Sequence, residues 1–248
     1  MPNYQEDIQY EFEGISKWAL AWESRAKLIA AILFIFGVIS LTSTTFALIA
    51  YTTTVLSAIM MGIKIITLLT RYLLIAPFVL LMTIPLVFGG GFPLDPDRVS
   101  FALLIILKAV TSMTIITMIL ETQSVDQFMK SLADLKVPPI MITVLLLSYR
   151  YVYLFLDDIQ KMQLALKTRF FKGGVSIKNL KVYGQLTGCL LIKSLDRSEK
   201  IYNAMASRGF NGTLRFKESS SISSVDIWKT TISILFIGAL IVTERLYF

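Results

Sequence analysis

The sequence predicts an all-α polytopic membrane protein with about five transmembrane helices and a polar helical segment inserted before the last of them. Three observations carry this reading. The chain is 55% hydrophobic with a mean hydropathy of +0.67, and only 17% of its residues are charged, against roughly 25% in a soluble domain. Residues 28–63 hold no charged side chain at all. Residues 121–225 hold 15 Lys/Arg against 8 Asp/Glu, a surplus of +7 that equals the net charge of the whole chain.

The opening MPNYQEDIQYEFEG is polar and acidic. It has neither the basic start nor the short apolar run of a signal peptide, so the first spans are expected to direct insertion. Residues 28–63 are too long for one span of about 20 residues and nearly long enough for two short ones. The polar knot LTSTT at 41–45 is the expected turn, which puts spans at about 27–41 and 44–62. The hydroxyl- and alanine-rich run LTSTTFALIAYTTT suits close helix packing, with a sliding surface for a partner as the alternative. The run at 65–88, broken only by Arg71, is a third span, and residues 99–120, with Lys108 inside, are a fourth. Between them GGGFPLDPDR, 89–98, carries glycine, proline and Asp-Pro turn chemistry and is expected to be an external loop.

The character changes after Glu121. In SVDQFMKSLADLKV, 124–137, Val125, Phe128, Leu132 and Leu135 share a helical side, Ser124 and Gln127 have capping-box form, and Pro138 and Pro139 stop the helix. Two long helices follow, at 140–171 and 182–208, separated by GGVSIKN; Asp196 and Lys200 in the second are spaced to pair. TLRFKESSSISSVD is a Ser-rich linker, and residues 227–242 form the last span. Residues 140–156 admit two placements: a further span, or a helix lying along the interface. Charge sidedness favours the interface, because crossing would split the basic block at 121–225, whereas the alternative keeps it on the cytoplasmic side with Lys64, Arg25 and Lys27. The resulting domains are 1–120 with four spans, 121–225 as a cytoplasmic segment of three helices, and 226–248 with the last span.

The chain has no histidine and one cysteine, Cys189. That removes internal disulfides, CxxC metal motifs, His-based metal sites and His-dependent triads, and leaves no assembled nucleophile or acid–base set for a membrane enzyme. No GxxxxGK[ST] loop is present, so ATP is not bound here in the P-loop manner. The net charge of +7 sits beside apolar spans and follows the positive-inside rule, which makes nucleic acid an unneeded partner. Asp157 and Asp158 point about 100° apart on a helix and are expected to be solvated or paired with Lys161. Arg150, Arg71 and Lys108 are expected to snorkel or pair with acids.

The chemistry-bearing pattern lies at the ends of the two long helices. ALKTRFFKGG, 165–174, and AMASRGFNG, 204–212, each run Ala, three residues, Arg, a nearby Phe and then glycine. A cation at a helix C-terminus is favoured by the macrodipole. Gly209 suits the left-handed position that ends a helix, Ala204 and Ser207 leave room for an approaching groove, and an arginine fork suits carboxylates or backbone carbonyls.

With LKAV at 107–110, LKVPP at 135–139 and LSYRYVYLFLDD at 147–158, these tips make region 105–212 resemble the transmembrane (T) component of energy-coupling factor transporters, specifically the CbiQ-type subunit of cobalt/nickel importers. The resemblance implies two long helices that cross beneath the membrane and dock their Ala-Arg-Gly tips on two cytoplasmic ABC-type ATPases. It implies Ala204, Ala206, Ser207, Arg208 and Gly209 as one tip, and Ala165 with Arg169 as the other. Where the pattern has glycine after the first arginine, this chain has Phe170, so that helix is expected to end later, at Gly173 or Gly174. The implied role is a non-catalytic subunit in a prokaryotic plasma membrane, with its N-terminus and coupling segment cytoplasmic. It would hold no cofactor of its own; partner ATPases bind ATP, and a separate integral membrane (S) subunit binds the metal. The alternatives are the shared T component of a vitamin importer and, in another class, a stand-alone channel or secondary carrier.

Overall fold

The computed structural model describes residues 15–89, 95–168, 173–174, 176–212 and 224–247, and among them every regular element is a helix. In chain order these are α1 (Lys17–Ala21), α2 (Ser24–Ser40), α3 (Thr44–Met60), α4 (Ile65–Phe88), α5 (Pro96–Thr122), α6 (Val125–Asp134), α7 (Pro139–Thr168), α8 (Ile177–Ala206) and α9 (Ser224–Tyr247). The expected spans fall on α2, α3, α4, α5 and α9. The short α1 has no counterpart in the sequence reading. Four helices are long and apolar enough to cross a bilayer, α4, α5, α7 and α9, and α3 is apolar but shorter. Helix α7, which contains residues 140–156, therefore has the length and composition of a span. Helices α2 and α3 have 17 residues each, about 25 Å of rise.

The chain divides into two compact units: Met1–Ser131 with Ser219–Phe248, and Leu132–Glu218. In the first, α5 packs against α2, α3 and α4, and α9 packs against α2 and α3. On α3 the buried positions are Ala47, Ala50, Thr54 and Ala58, one face of small residues. On α5 Thr111, Thr114 and Thr117 are fully buried, and each hydroxyl donates to the carbonyl four residues back at 2.7–2.8 Å. These threonines satisfy themselves and present methyl groups to their neighbours, which is why a hydroxyl-rich seam packs as tightly as an apolar one. Helices α2 and α9 meet at Gly37, where an added Cβ would stand 2.3 Å from Ile237 Cγ1. Around this contact Phe34, Val38, Leu41, Ala50, Ile115, Ile237 and Leu240 form the largest apolar cluster.

Polar side chains close the helix ends. Lys27 Nζ donates to Thr122 O at 3.1 Å, and Gln123 Nε2 to Ser24 O at 3.3 Å, tying the start of α2 to the end of α5. Lys108 Nζ donates to Ile39 O at 2.7 Å, near the C-terminus of α2. Glu244, 4% exposed, accepts from the Thr42 N–H at 2.8 Å, from the Ser43 N–H and from Thr42 Oγ1, so the last turn of α9 caps the α2–α3 turn. Arg71 pairs with Glu121 at 3.4 Å. The expected capping box is present: Gln127 N–H donates to Ser124 Oγ at 3.3 Å, and Ser124 N–H donates to Gln127 Oε1 at 3.2 Å.

Candidate functional site

The second unit is built on α7 and α8, which contact each other directly. Among the described residues one carboxylate bridges the two helices. Asp158, 6% exposed, accepts from Lys193 Nζ at 2.5 Å and from Arg197 Nη2 at 2.8 Å. Lys193 and Arg197 stand four residues apart on one face of α8, and the Arg197 guanidinium also lies 5.7 Å from the centre of the Phe155 ring. Asp158 lies past the apolar half of α7. The hydrogen bond from Lys193 holds its carboxyl below the ordinary carboxylate range; burial opposes this, and Arg197 adds to it. The acid pair thus divides by direction. Asp157 pairs with Lys161 at 2.6 Å in solvent, as anticipated, while Asp158 faces α8, a role the sequence reading missed. The one available signal was the four-residue spacing of Lys193 and Arg197. Asp196 and Lys200, spaced to pair, make no ion pair among the described residues. Arg150 is exposed.

Helix α8 carries its basic end outward. After Ala206 the Gly209 N–H donates to Ala206 O and the Phe210 N–H donates to Met205 O, both at 3.0 Å, with Gly209 at φ +81°. This is the Schellman arrangement, with Gly209 at C′ and Arg208 as the capping residue. The expectation that Gly209 ends the helix in left-handed geometry is met. A Cβ on Gly209 would touch nothing within 4 Å among the described residues, so the conformation, not packing against them, calls for glycine here. Ala204, Ala206, Ser207, Arg208 and Gly209 are all exposed, while Met205 and Phe210 are half-buried behind them. Ser207 Oγ donates to Asn203 O at 2.8 Å, so its hydroxyl is turned back onto the helix. The surface at the tip is small and flat, with one long cation rising from it. Arg208 has no ion-pair partner among the described residues.

The other tip is described only in part. Ala165 is exposed on α7, and Thr168 Oγ1 donates to Ala165 O at 2.8 Å. Arg169 and Phe170 lie outside the described residues. Gly173 and Gly174 follow with φ of +71° and +97°. Helix α7 is described as far as Thr168, and the expected end at Gly173 or Gly174 turns on residues 169–172, which lie outside the described residues. Asn179, in the first turn of α8, clasps this glycine pair by donating to Gly173 O at 2.5 Å and Gly174 O at 3.1 Å. Among the described residues no three His, Cys, Asp or Glu side chains converge as a metal site.

The chain is 26% identical over 238 residues to an uncharacterized protein of Methanocaldococcus jannaschii, covering 90% of this chain and 82% of that one. A second uncharacterized protein of the same organism is 24% identical over 140 residues, covering 56% of this chain and 52% of the relative. Residues 16–247 match the pattern of the CbiQ family, described as a cobalt transport protein. A match over nearly the whole chain, on an all-helical frame with four helices able to cross a bilayer, places this membrane protein in the CbiQ family of cobalt transport proteins.

Proposed function

We propose that this chain is the membrane coupling subunit of an ATP-driven importer of the energy-coupling factor type, carrying cobalt (or nickel) as cargo. It works in the cell membrane of a prokaryote, with residues 121–225 on the cytoplasmic side and α7, though long and apolar enough to cross, lying along the interface. ATP is bound and hydrolysed by two partner ATPases, and a separate integral membrane subunit binds the metal. The observation that carries the reading is the α8 tip: a Schellman-closed end with exposed Ala204, Ala206, Ser207 and Gly209 and an outward Arg208. Such a surface fits a groove that offers carboxylates or carbonyls to a guanidinium fork. Ala165 and Arg169 supply the second tip by the likeness of their local sequence. Closing and opening of the ATPases moves the tips. The bond from Asp158 to Lys193 and Arg197 ties the two long helices, so that displacement of one is passed to the other. The lack of histidine and the single cysteine fit a subunit that moves cobalt through a partner and does not bind it.

Arg208→Glu is the test. Reversing a desolvated interfacial charge is expected to weaken the complex by roughly 30-fold or more, read as loss of the ATPases on co-purification and loss of cobalt uptake in cells. Intact assembly and uptake in that variant would remove the docking assignment. ATPase-free transport of cobalt by the chain alone in liposomes would replace the reading with a carrier or channel.

A further inference from the structure

The first unit holds a half-open pocket of about 390 Å³ between α1, α2, α3, α5 and α9. Its body is apolar, walled by Ala30, Phe34, Ile115, Ile119 and Phe236. One end differs: Lys27, Lys229, Trp18 and Trp22 all line it. Lys27 is only 5% exposed, and its ammonium, which has three donors, makes a single hydrogen bond among the described residues, to Thr122 O. Lys229 Nζ reaches Trp18 O at 3.3 Å and stands 5.6 Å from the centre of the Trp18 ring. The Trp22 indole N–H is buried and has no acceptor among the described residues. A buried donor without a partner calls for an explanation. Lys229 and Asp226 both act on Lys27, so two cations stand here beside one of the carboxylates that could offset them.

Two ammonium groups and an unpaired indole N–H, set at the rim of a hydrocarbon-lined cavity, complement an anionic head joined to an apolar tail. A metal cation is the wrong charge for this site, and a free inorganic anion would leave the apolar body empty. We propose that the cavity binds one anionic phospholipid of the surrounding bilayer, its phosphate between Lys27 and Lys229 and one hydrocarbon chain along Phe34 and Phe236. This site is separate from the α8 tip and does not depend on the coupling role.

The tryptophans make the site readable. The chain has three, Trp18, Trp22 and Trp228, and the last is 68% exposed. The full chain carrying Trp228→Phe is reconstituted in nanodiscs containing a small fraction of either dibrominated phosphatidylglycerol or dibrominated phosphatidylcholine, and tryptophan quenching is followed. Phosphatidylglycerol is expected to quench at lower mole fraction, by about five-fold per lysine engaged. Lys229→Gln should reduce that preference by about five-fold, and Ser233→Phe, which fills the cavity from its wall, should lower quenching by both lipids. Ser233→Phe keeps the test open should Lys27 variants fail to fold. Equal quenching by the two lipids in the Trp228→Phe protein, or unchanged quenching in Ser233→Phe, would overturn the proposal. So would native mass spectrometry that finds a free fatty acid retained in place of a phospholipid.

Discussion

At Gly209 the backbone and the surface make separate demands, and they can be measured apart. Its φ of +81° disfavours any side chain, while a Cβ there meets nothing within 4 Å among the described residues. Gly209→Ala and Gly209→Leu are therefore expected to lose the same stability, about 1 kcal/mol from the left-handed conformation, in thermal unfolding of the isolated chain. On the proposed docking role they diverge in ATPase binding, where the larger side chain stands in the way. Equal binding by both variants would mean that nothing approaches this face. Asp158 gives the second residue-scale prediction. Its carboxyl is held below the ordinary range by Lys193 and Arg197, so its contribution is complete at neutral pH, above its unfolded value. The contribution disappears as pH falls through the lowered folded value. Asp158→Asn should loosen α7 from α8 at neutral pH, seen as faster hydrogen exchange in both helices, and the difference from the parent protein should vanish on strong acidification.

The helices were legible in proportion to how local their causes are. The capping box of α6 closes between Ser124 and Gln127, and the small face of α3 follows from Ala47, Ala50, Thr54 and Ala58 recurring at helical spacing; both can be read from neighbours in the chain. The end of α8 was legible for the same reason, because a glycine after a polar helix carries its conformation with it. The ties between distant elements were not legible. Asp158 looked like its exposed neighbour Asp157 until α8 was placed beside it, and Gly37 is one small residue among many in an apolar span. The α2–α9 contact carries the prediction at this scale. A Cβ at position 37 lands 2.3 Å from Ile237 Cγ1. Gly37→Ala should therefore destabilise by about 1–3 kcal/mol through overpacking, outweighing the roughly 1 kcal/mol of helix propensity it gains. Adding Ile237→Ala should recover part of the loss in detergent-solubilised thermal melts. A Gly37→Ala protein as stable as its parent would show that the two helices separate freely.

For the whole molecule, the short helices set its relation to the bilayer. Helix α4 has 24 residues and α5 has 27, while α2 and α3, which form much of the core with them, span only about 25 Å each. A hydrocarbon core of about 30 Å leaves the ends of α2 and α3 short, and Lys27 and Lys108 bond to carbonyls near those ends. The protein is expected to be more stable in thinner bilayers. Its unfolding midpoint should fall steadily as the acyl chains of the reconstituting lipid lengthen, and a flat response would mean that tilt of the long helices absorbs the mismatch. Apolar run length made this part of the architecture visible in the sequence. The division of the chain into two compact units follows from contacts that periodicity does not report.

The cap that Glu244 places on the α2–α3 turn joins groups 202 positions apart. During synthesis the amides of Thr42 and Ser43 emerge with the first helical hairpin, and their acceptor is made some 200 residues later. At about 5–20 residues per second, that is a wait of roughly 10–40 s. For that interval the hairpin sits in the translocon or the lipid with two donors unmet, a state in which an insertase or a passing water must stand in for the carboxylate. Helix α9 therefore supplies a cap on the first hairpin that is made only long after the hairpin itself.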